Sequence, residues 1–244
     1  MSLGFIHGVM NTDNMSVSGE TIDYGPCAFM DNFAFDRVFS SIDRNGRYAY
    51  NNQISIAKWN LLRMAECLIP LIHKDPKEAV KIIDDSINSY IDIYEQKWLE
   101  KMKMKLGLMN NHNEDNSLIN QWLQYLEDEN LDFTLSFRRL SNSPDELKQT
   151  SKLKDFYSKW QKRIKDQPQD IEEVNNFMNT VNPVFIPRNH QVERAIQAAI
   201  KGDFSVFKEM NKVLRSPYKE QCQYEAYKTA PLEAEKIKAT FCGT

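Results

Sequence analysis

Apolar positions along the chain repeat mostly at helical spacing. Val80, Ile83, Ile87, Tyr90, Tyr94 and Trp98 recur every three or four residues, the stripe of an amphipathic helix that packs on a core. Asp75, Pro76 and Glu78 stand before it as N-cap, first helical residue and acidic third residue. Ile54 to Ile72 is apolar around most of its circumference, with Trp59, Leu62, Met64, Ala65, Leu68 and Ile69. Such a helix is usually buried, so the pattern predicts a central helix with Trp59 in the core. Ser143-Pro144-Asp145-Glu146 is a further start signal, and helices are predicted over about 145–166, 170–180, 189–201 and 203–215. Gly202 separates the last two as a C-cap, and Asp203 is the N-cap of the second.

A different pattern occupies the first thirty residues. Met15-Ser16-Val17 and Thr21-Ile22 read as two short strands joined by a tight turn at Ser18-Gly19. That register sets Asn14 opposite Asp23, with Cβ atoms roughly 4.5–5.5 Å apart. An amide oxygen and a carboxylate at that spacing can share one hard cation, and Mg²⁺ with a nucleotide phosphate suits such a site. Asp, Asn, Gly and Ser also gather at turns for local hydrogen-bonding reasons, and that reading stands beside the first. Residues 107–116 form a polar stretch in which His112, Glu114 and Asp115 resemble metal ligands. A solvated loop accounts for them better, since no second cluster with ligand spacing is near. Residues 32–53, with Asp36, Arg37, Ser40, Ser41, Asp43 and Arg44, read as a surface loop, and 216–244 as a partly extended tail.

Composition adds mainly exclusions. The 244 residues suffice for a substantial core, 41% are hydrophobic and 27% charged, and mean hydropathy is −0.58. Apolar runs stay well short of a membrane span, and no secretory signal is evident. A net charge of −3 and a pI near 5.9 leave no general basic face for nucleic acid. The basic run Lys97, Lys101, Lys103 and Lys105 reads as a solvated helix face beside Glu95 and Glu100. Cys27, Cys67, Cys222 and Cys242 lack paired zinc spacing and fit a reducing compartment, with Cys67 in the core.

His7-Gly8, then Asn14, then Ile22-Asp23-Tyr24-Gly25 resembles small-molecule kinases, which carry His-Gly-Asp, an Asn, and an Ile-Asp-x-Gly metal site. The position of their catalytic Asp is Val9 here, and a carboxylate stands instead at Asp13. With this departure, the blocks His7–Ser16 and Ile22–Asp31 resemble the selenoprotein O family of protein adenylyltransferases. Gly46-Arg47-Tyr48-Ala49-Tyr50, Trp59-Asn60-Leu61-x-Arg63, Asn182-Pro183, Pro187-Arg188-Asn189-His190, Gly202-Asp203-Phe204 and Cys242 extend the likeness to the end of the chain.

The resemblance implies the C-terminal lobe of a protein-kinase-like fold, mainly α with one small β-hairpin near its N-terminus. It implies transfer of AMP from ATP to Ser, Thr or Tyr hydroxyls of protein substrates, with Mg²⁺ or Mn²⁺. Asp13 would be the proton acceptor, and Asn14 and Asp23 the metal ligands, with Asp23 also near the ATP phosphates. Asn14 and Asp23 are thus selected twice, whereas Asp13 rests mainly on the resemblance. The family's Gly-rich strands, phosphate-holding Lys and triphosphate-gripping Arg residues lie upstream, with no room in Met1–Ile6. The chain is therefore read as a piece of a longer enzyme, inactive alone, with Met1-Ser2-Leu3 a cloning remnant. Its parts are then 4–53 (catalytic loop, hairpin and activation-like segment), 54–215 (helical lobe) and 216–244 (tail). The family's C-terminal Cys, here Cys242, can form a disulfide with an activation-segment Cys. That partner position falls near Ser40, so Cys27 is the substitute on offer, and a functionless tail thiol the alternative. No nucleic-acid or membrane partner is expected. The compartment is read as the bacterial cytoplasm, or alternatively a mitochondrion. Rival readings are a kinase-type phosphotransferase and a non-catalytic helical scaffold.

Overall fold

A computed structural model describes residues 1–145 and 151–241. It is mainly helical, with one two-stranded sheet among the described residues. Strand β1 (Phe5–Ile6) pairs antiparallel with β2 (Ala28–Phe29), in the register Phe5 to Phe29 and Ile6 to Ala28. The pairing is fixed by burial, because Ile6, Ala28 and Met30 all enter the core.

The hairpin predicted at 15–17 and 21–22 is absent. A turn runs from Ser16 to Gly19, closed by the Gly19 N–H on the Ser16 carbonyl at 3.0 Å, but no ladder extends from it. Val17 is 88% exposed and Ile22 is also exposed, so the alternation has no face to bury. A two-stranded ribbon without a packed face is marginal in water, and the pairing moves outward to β1 and β2.

Helix α1 (Gln53–Ile72) and helix α2 (Pro76–Lys105) form an antiparallel pair. Asp75 caps α2 as predicted, its side chain accepting the Lys77 N–H at 2.9 Å. The burial predicted for α1 is wrong: Trp59 is 41% and Leu71 81% exposed, and Met64, Leu68 and Cys67 are exposed too. Only the face carrying Gln53, Ile56, Ala57 and Asn60 is buried. The stripe on α2 is likewise buried in part, with Ile83 covered and Val80 exposed.

Helices α3 (Asp115–Asp128) and α4 (Phe133–Asn142) follow, then α5 (Lys154–Lys165), α6 (Ile171–Val181), α7 (Asn189–Ile200), α8 (Ser205–Leu214) and the short α9 (Glu225–Lys228). Ser143 ends α4, and 3₁₀ structure begins right after it at 144–145; residues 146–150 of the predicted 145–166 helix lie outside the described residues. The other predicted spans match closely. Asp170 and Glu173 form a capping box on α6, and Asp203 accepts the Ser205 N–H at 2.8 Å before α8.

The main core is aromatic. Trp122 of α3 stacks on Phe156 of α5 and meets Phe137 of α4 edge-on, while Phe33 stacks on Phe133. A smaller cluster of Val184, Phe185, Ala195, Met210, Val213 and Tyr227 holds α7, α8 and α9 together. Two polar expectations hold only in part. Asp115 is buried and bonds Arg163 Nε at 2.7 Å, with Lys103 Nζ at 3.4 Å. Residues 109–114 are exposed as expected of a solvated loop, and Asp115 alone of the three ligand-like residues turns inward. Lys103 and Lys105 are buried as well, so only Lys97 and Lys101 of the basic run face solvent.

Candidate active site

The motif residues sit on two adjoining segments, 7–14 and 23–27. Gly8 lets them meet. Its φ is +86°, and an added Cβ would stand 2.5 Å from the Pro26 carbonyl oxygen, so only glycine permits this approach. Gln53, at the start of α1, holds the first segment from below. Its Oε1 accepts the His7 N–H at 3.0 Å, and its Nε2 donates to the Phe5 carbonyl at 3.1 Å. Farther along α1, Asn60 Nδ2 donates to the Met10 carbonyl at 2.9 Å. The Tyr48 hydroxyl donates to Asn11 Oδ1. None of these three positioning side chains was singled out from sequence, although Tyr48 and Asn60 lie in quoted motifs.

Asp13 and Asn14 close a single 3₁₀ turn, Thr12–Asn14. Asp13 is exposed, and Asn14 is half-buried with its Nδ2 donating to the Val9 carbonyl at 3.3 Å. Committing the amide nitrogen inward leaves the amide oxygen as the group on offer. Asp23 is exposed and accepts the Gly25 N–H at 3.0 Å through Oδ1. Two hard oxygens, one neutral and one anionic, suit Mg²⁺ or Mn²⁺, which Mg²⁺ binds through one or two protein oxygens plus phosphates and waters. No group of three or more His, Cys, Asp or Glu among the described residues forms a metal cage.

Val9 is buried against Tyr48 and Ile56. The position at which kinase-like sequences carry a base is here part of a small apolar cluster. His7 is buried, and burial pushes its imidazole down against the opposing pull of Asp23, whose charge reaches the ring. The ring nitrogens find no hydrogen bond of normal geometry, although the Val9 backbone lies beside them. Burial also pushes the Cys27 thiol up, and Asp23 adds to that shift. Asp23 thus lies within electrostatic range of both His7 and Cys27.

Beyond β2 the chain is pinned by Arg188, which is fully buried. Its Nη1 donates to Asp31 and, at 2.8 Å, to Asp132, while Nε donates to the Lys228 carbonyl at 3.0 Å. Burial pushes the Asp31 carboxyl up against the pull of Arg188. The far end of the chain arrives at the same place. Thr240 pairs with Ser40, its Oγ1 donates to the Pro26 carbonyl, and its N–H donates to the Phe39 carbonyl at 2.7 Å. Cys242 lies outside the described residues.

A family model described as protein adenylyltransferase SelO matches residues 1–215. The chain belongs to the SelO family. It is 47% identical over 246 residues to the protein nucleotidyltransferase YdiU of Bacillus cereus (strain AH820), covering 99% of this chain and 50% of that relative. The YdiU nucleotidyltransferase of Bacillus anthracis (strain CDC 684 / NRRL 3495) is 46% identical over the same span, again 99% and 50%. The chain therefore spans about half the length of these SelO-family relatives. Among the described residues no helix is long and apolar enough to cross a membrane.

Proposed function

We propose that this chain carries the acceptor and metal side of a protein adenylyltransferase, within the C-terminal lobe of a kinase-like fold. AMP moves from ATP to a Ser, Thr or Tyr hydroxyl of another protein: the hydroxyl oxygen bonds the α-phosphorus, the α–β phosphoanhydride bond breaks, and pyrophosphate leaves. The observation that carries the reading is the family match, joined to the approach of Gly8 on Pro26 that packs the Asp13–Asn14 segment against the one bearing Asp23. Asn14 and Asp23 would hold Mg²⁺ or Mn²⁺, which when bound offsets phosphate charge. Asp13, exposed beside them, accepts the hydroxyl proton at its carboxylate and orients the oxygen for attack at the α-phosphorus. Transfer to the γ-phosphoryl group is disfavoured by Val9, which is apolar and packed where a kinase base would stand.

The test incubates the protein with a generic protein acceptor and Mg²⁺. Parallel reactions carry ATP labelled at the α- or γ-phosphate. Label arriving only from the α-position, and lost in Asp23→Ala, supports adenylyl transfer. Label only from the γ-position makes the protein a kinase, and none from either favours the scaffold reading.

A further inference from the structure

An unusual surface group stands beside the candidate site. Trp59 is flanked by two guanidinium groups, Arg47 Cζ at 5.0 Å from its ring centroid and Arg63 Cζ at 5.3 Å. Arg47 also lies 5.7 Å from the Tyr48 ring. This explains how a large aromatic stays part-exposed on α1: each of its neighbours is a stacked cation.

Arg47 is held in place by its backbone. Its N–H donates to Asp43 Oδ1 at 2.8 Å, and its carbonyl accepts from Asn52 Nδ2 at 2.6 Å. Its side chain makes no ion pair among the described residues, so its five donors are unused. Arg63 spends part of its charge on Glu66 at 2.6 Å, and its Nε is buried without a partner. The group is tied to the catalytic segment twice, through Tyr48 to Asn11 and through Asn60, next to Trp59, to Met10. Asn60 Nδ2 also reaches Met15 Sδ at 2.7 Å, so these contacts bracket Asp13 along the chain.

We propose that Arg47, with Trp59 and Arg63, docks the acceptor protein by acidic residues flanking its hydroxyl. The inference rests on the hydroxyl-acceptor side of the reading above, in which Asp13 meets that hydroxyl. A guanidinium stacked on an indole keeps its planar fork free for bidentate recognition of a carboxylate. A carboxylate-rich segment complements this spot, whereas a basic segment is repelled by it.

The experiment is a binding assay, so it does not depend on transfer. A fluorescein-labelled peptide with a central Ser between Asp and Glu residues is titrated with the protein, alongside the same peptide with Gln and with Lys in place of the acids. The acidic peptide is expected to bind about tenfold more tightly than the Gln peptide, falling with added salt. Arg47→Gln should erase that preference, and Arg47→Glu should turn it toward the Lys peptide, a gain that misfolding cannot produce. Asp23→Asn should leave peptide binding intact, so loss of transfer and loss of docking separate. Equal binding of the acidic and Gln peptides, or a preference unchanged in Arg47→Gln, would overturn the proposal.

Discussion

Replacing Lys105 with Met is expected to stabilise the protein at neutral pH. Lys105 ends α2 and is 3% exposed, with its Nζ 4.1 Å from the Phe137 ring centroid and 5.3 Å from that of Phe133. Among the described residues it makes no ion pair. Burial pushes its ammonium from 10.5 down to about 7. Between those two values the unfolded chain keeps a proton that the folded chain releases, so stability should rise with pH across that window. At pH 7 the buried charge costs about 4 kcal/mol relative to a neutral group of the same shape. Attraction to the two ring faces returns about 2 kcal/mol. Met, of similar volume, keeps the packing, so the net gain should be about 2 kcal/mol. Urea titrations from pH 7 to 10 would measure it. The midpoint of the parent should climb with pH, and the gap to Lys105→Met should close as it does. A parent whose stability is flat from pH 7 to 10, or a Met variant less stable at pH 7, would refute the reasoning.

Gly8→Ala should destabilise the protein by about 2–3 kcal/mol, since it strains a positive φ and drives a methyl into Pro26; an unchanged thermal midpoint would contradict the close approach. Arg163→Met takes the 2.7 Å partner from the buried Asp115 carboxylate, leaving it Lys103 at 3.4 Å, and should cost about 3 kcal/mol. Adding Asp115→Leu should not restore stability, since it strands the buried Lys103, and an unchanged urea midpoint for Arg163→Met would contradict the pairing. The chain of 244 residues alone should bind Mg-ATP weakly and transfer nothing, and tight binding by titration calorimetry would count against the division of labour proposed above. Alkylation of Cys27 by iodoacetamide should be slow at pH 7 and speed up toward pH 9, because burial and Asp23 hold its thiol protonated. A rate at pH 7 equal to that of a free thiol would contradict this.

Capped helices were legible from residues alone. Asp75, Asp170 and Asp203 carry their own start signals, and the structure places helices after each. Helices α3 and α4 were legible too, in Leu118, Trp122 and Leu126 and in Phe133, Phe137 and Leu140, but were not read. Burial was not legible. Hydrophobicity said that α1 should be covered, yet the cover of Trp59 is two arginines. The spacing of Lys103 and Lys105 said solvent, yet Asp115 on α3 and two rings on α4 draw that face inward. Both errors have one cause: local periodicity finds a face but does not know what a distant segment brings to it. The site divides the same way. Asn14 and Asp23 stood out by residue type, whereas Gln53, Asn60 and Arg188 act through contacts 40 or more residues away and leave no local mark.

The pairing of Thr240 with Phe39, Ser40 and Pro26 joins segments about 200 residues apart. On the ribosome that separation of about 200 residues becomes a delay. At roughly 5–20 residues per second, segment 26–41 waits roughly 10–40 s for the residues that complete it. Met30, Phe33 and Phe39 lie in that segment, and Phe33 cannot stack on Phe133 until Phe133 has been made. A nascent chain therefore carries an unfinished apolar surface beside its reactive loop throughout that wait. That interval, not the finished fold, is when the segment is open to a chaperone or a protease.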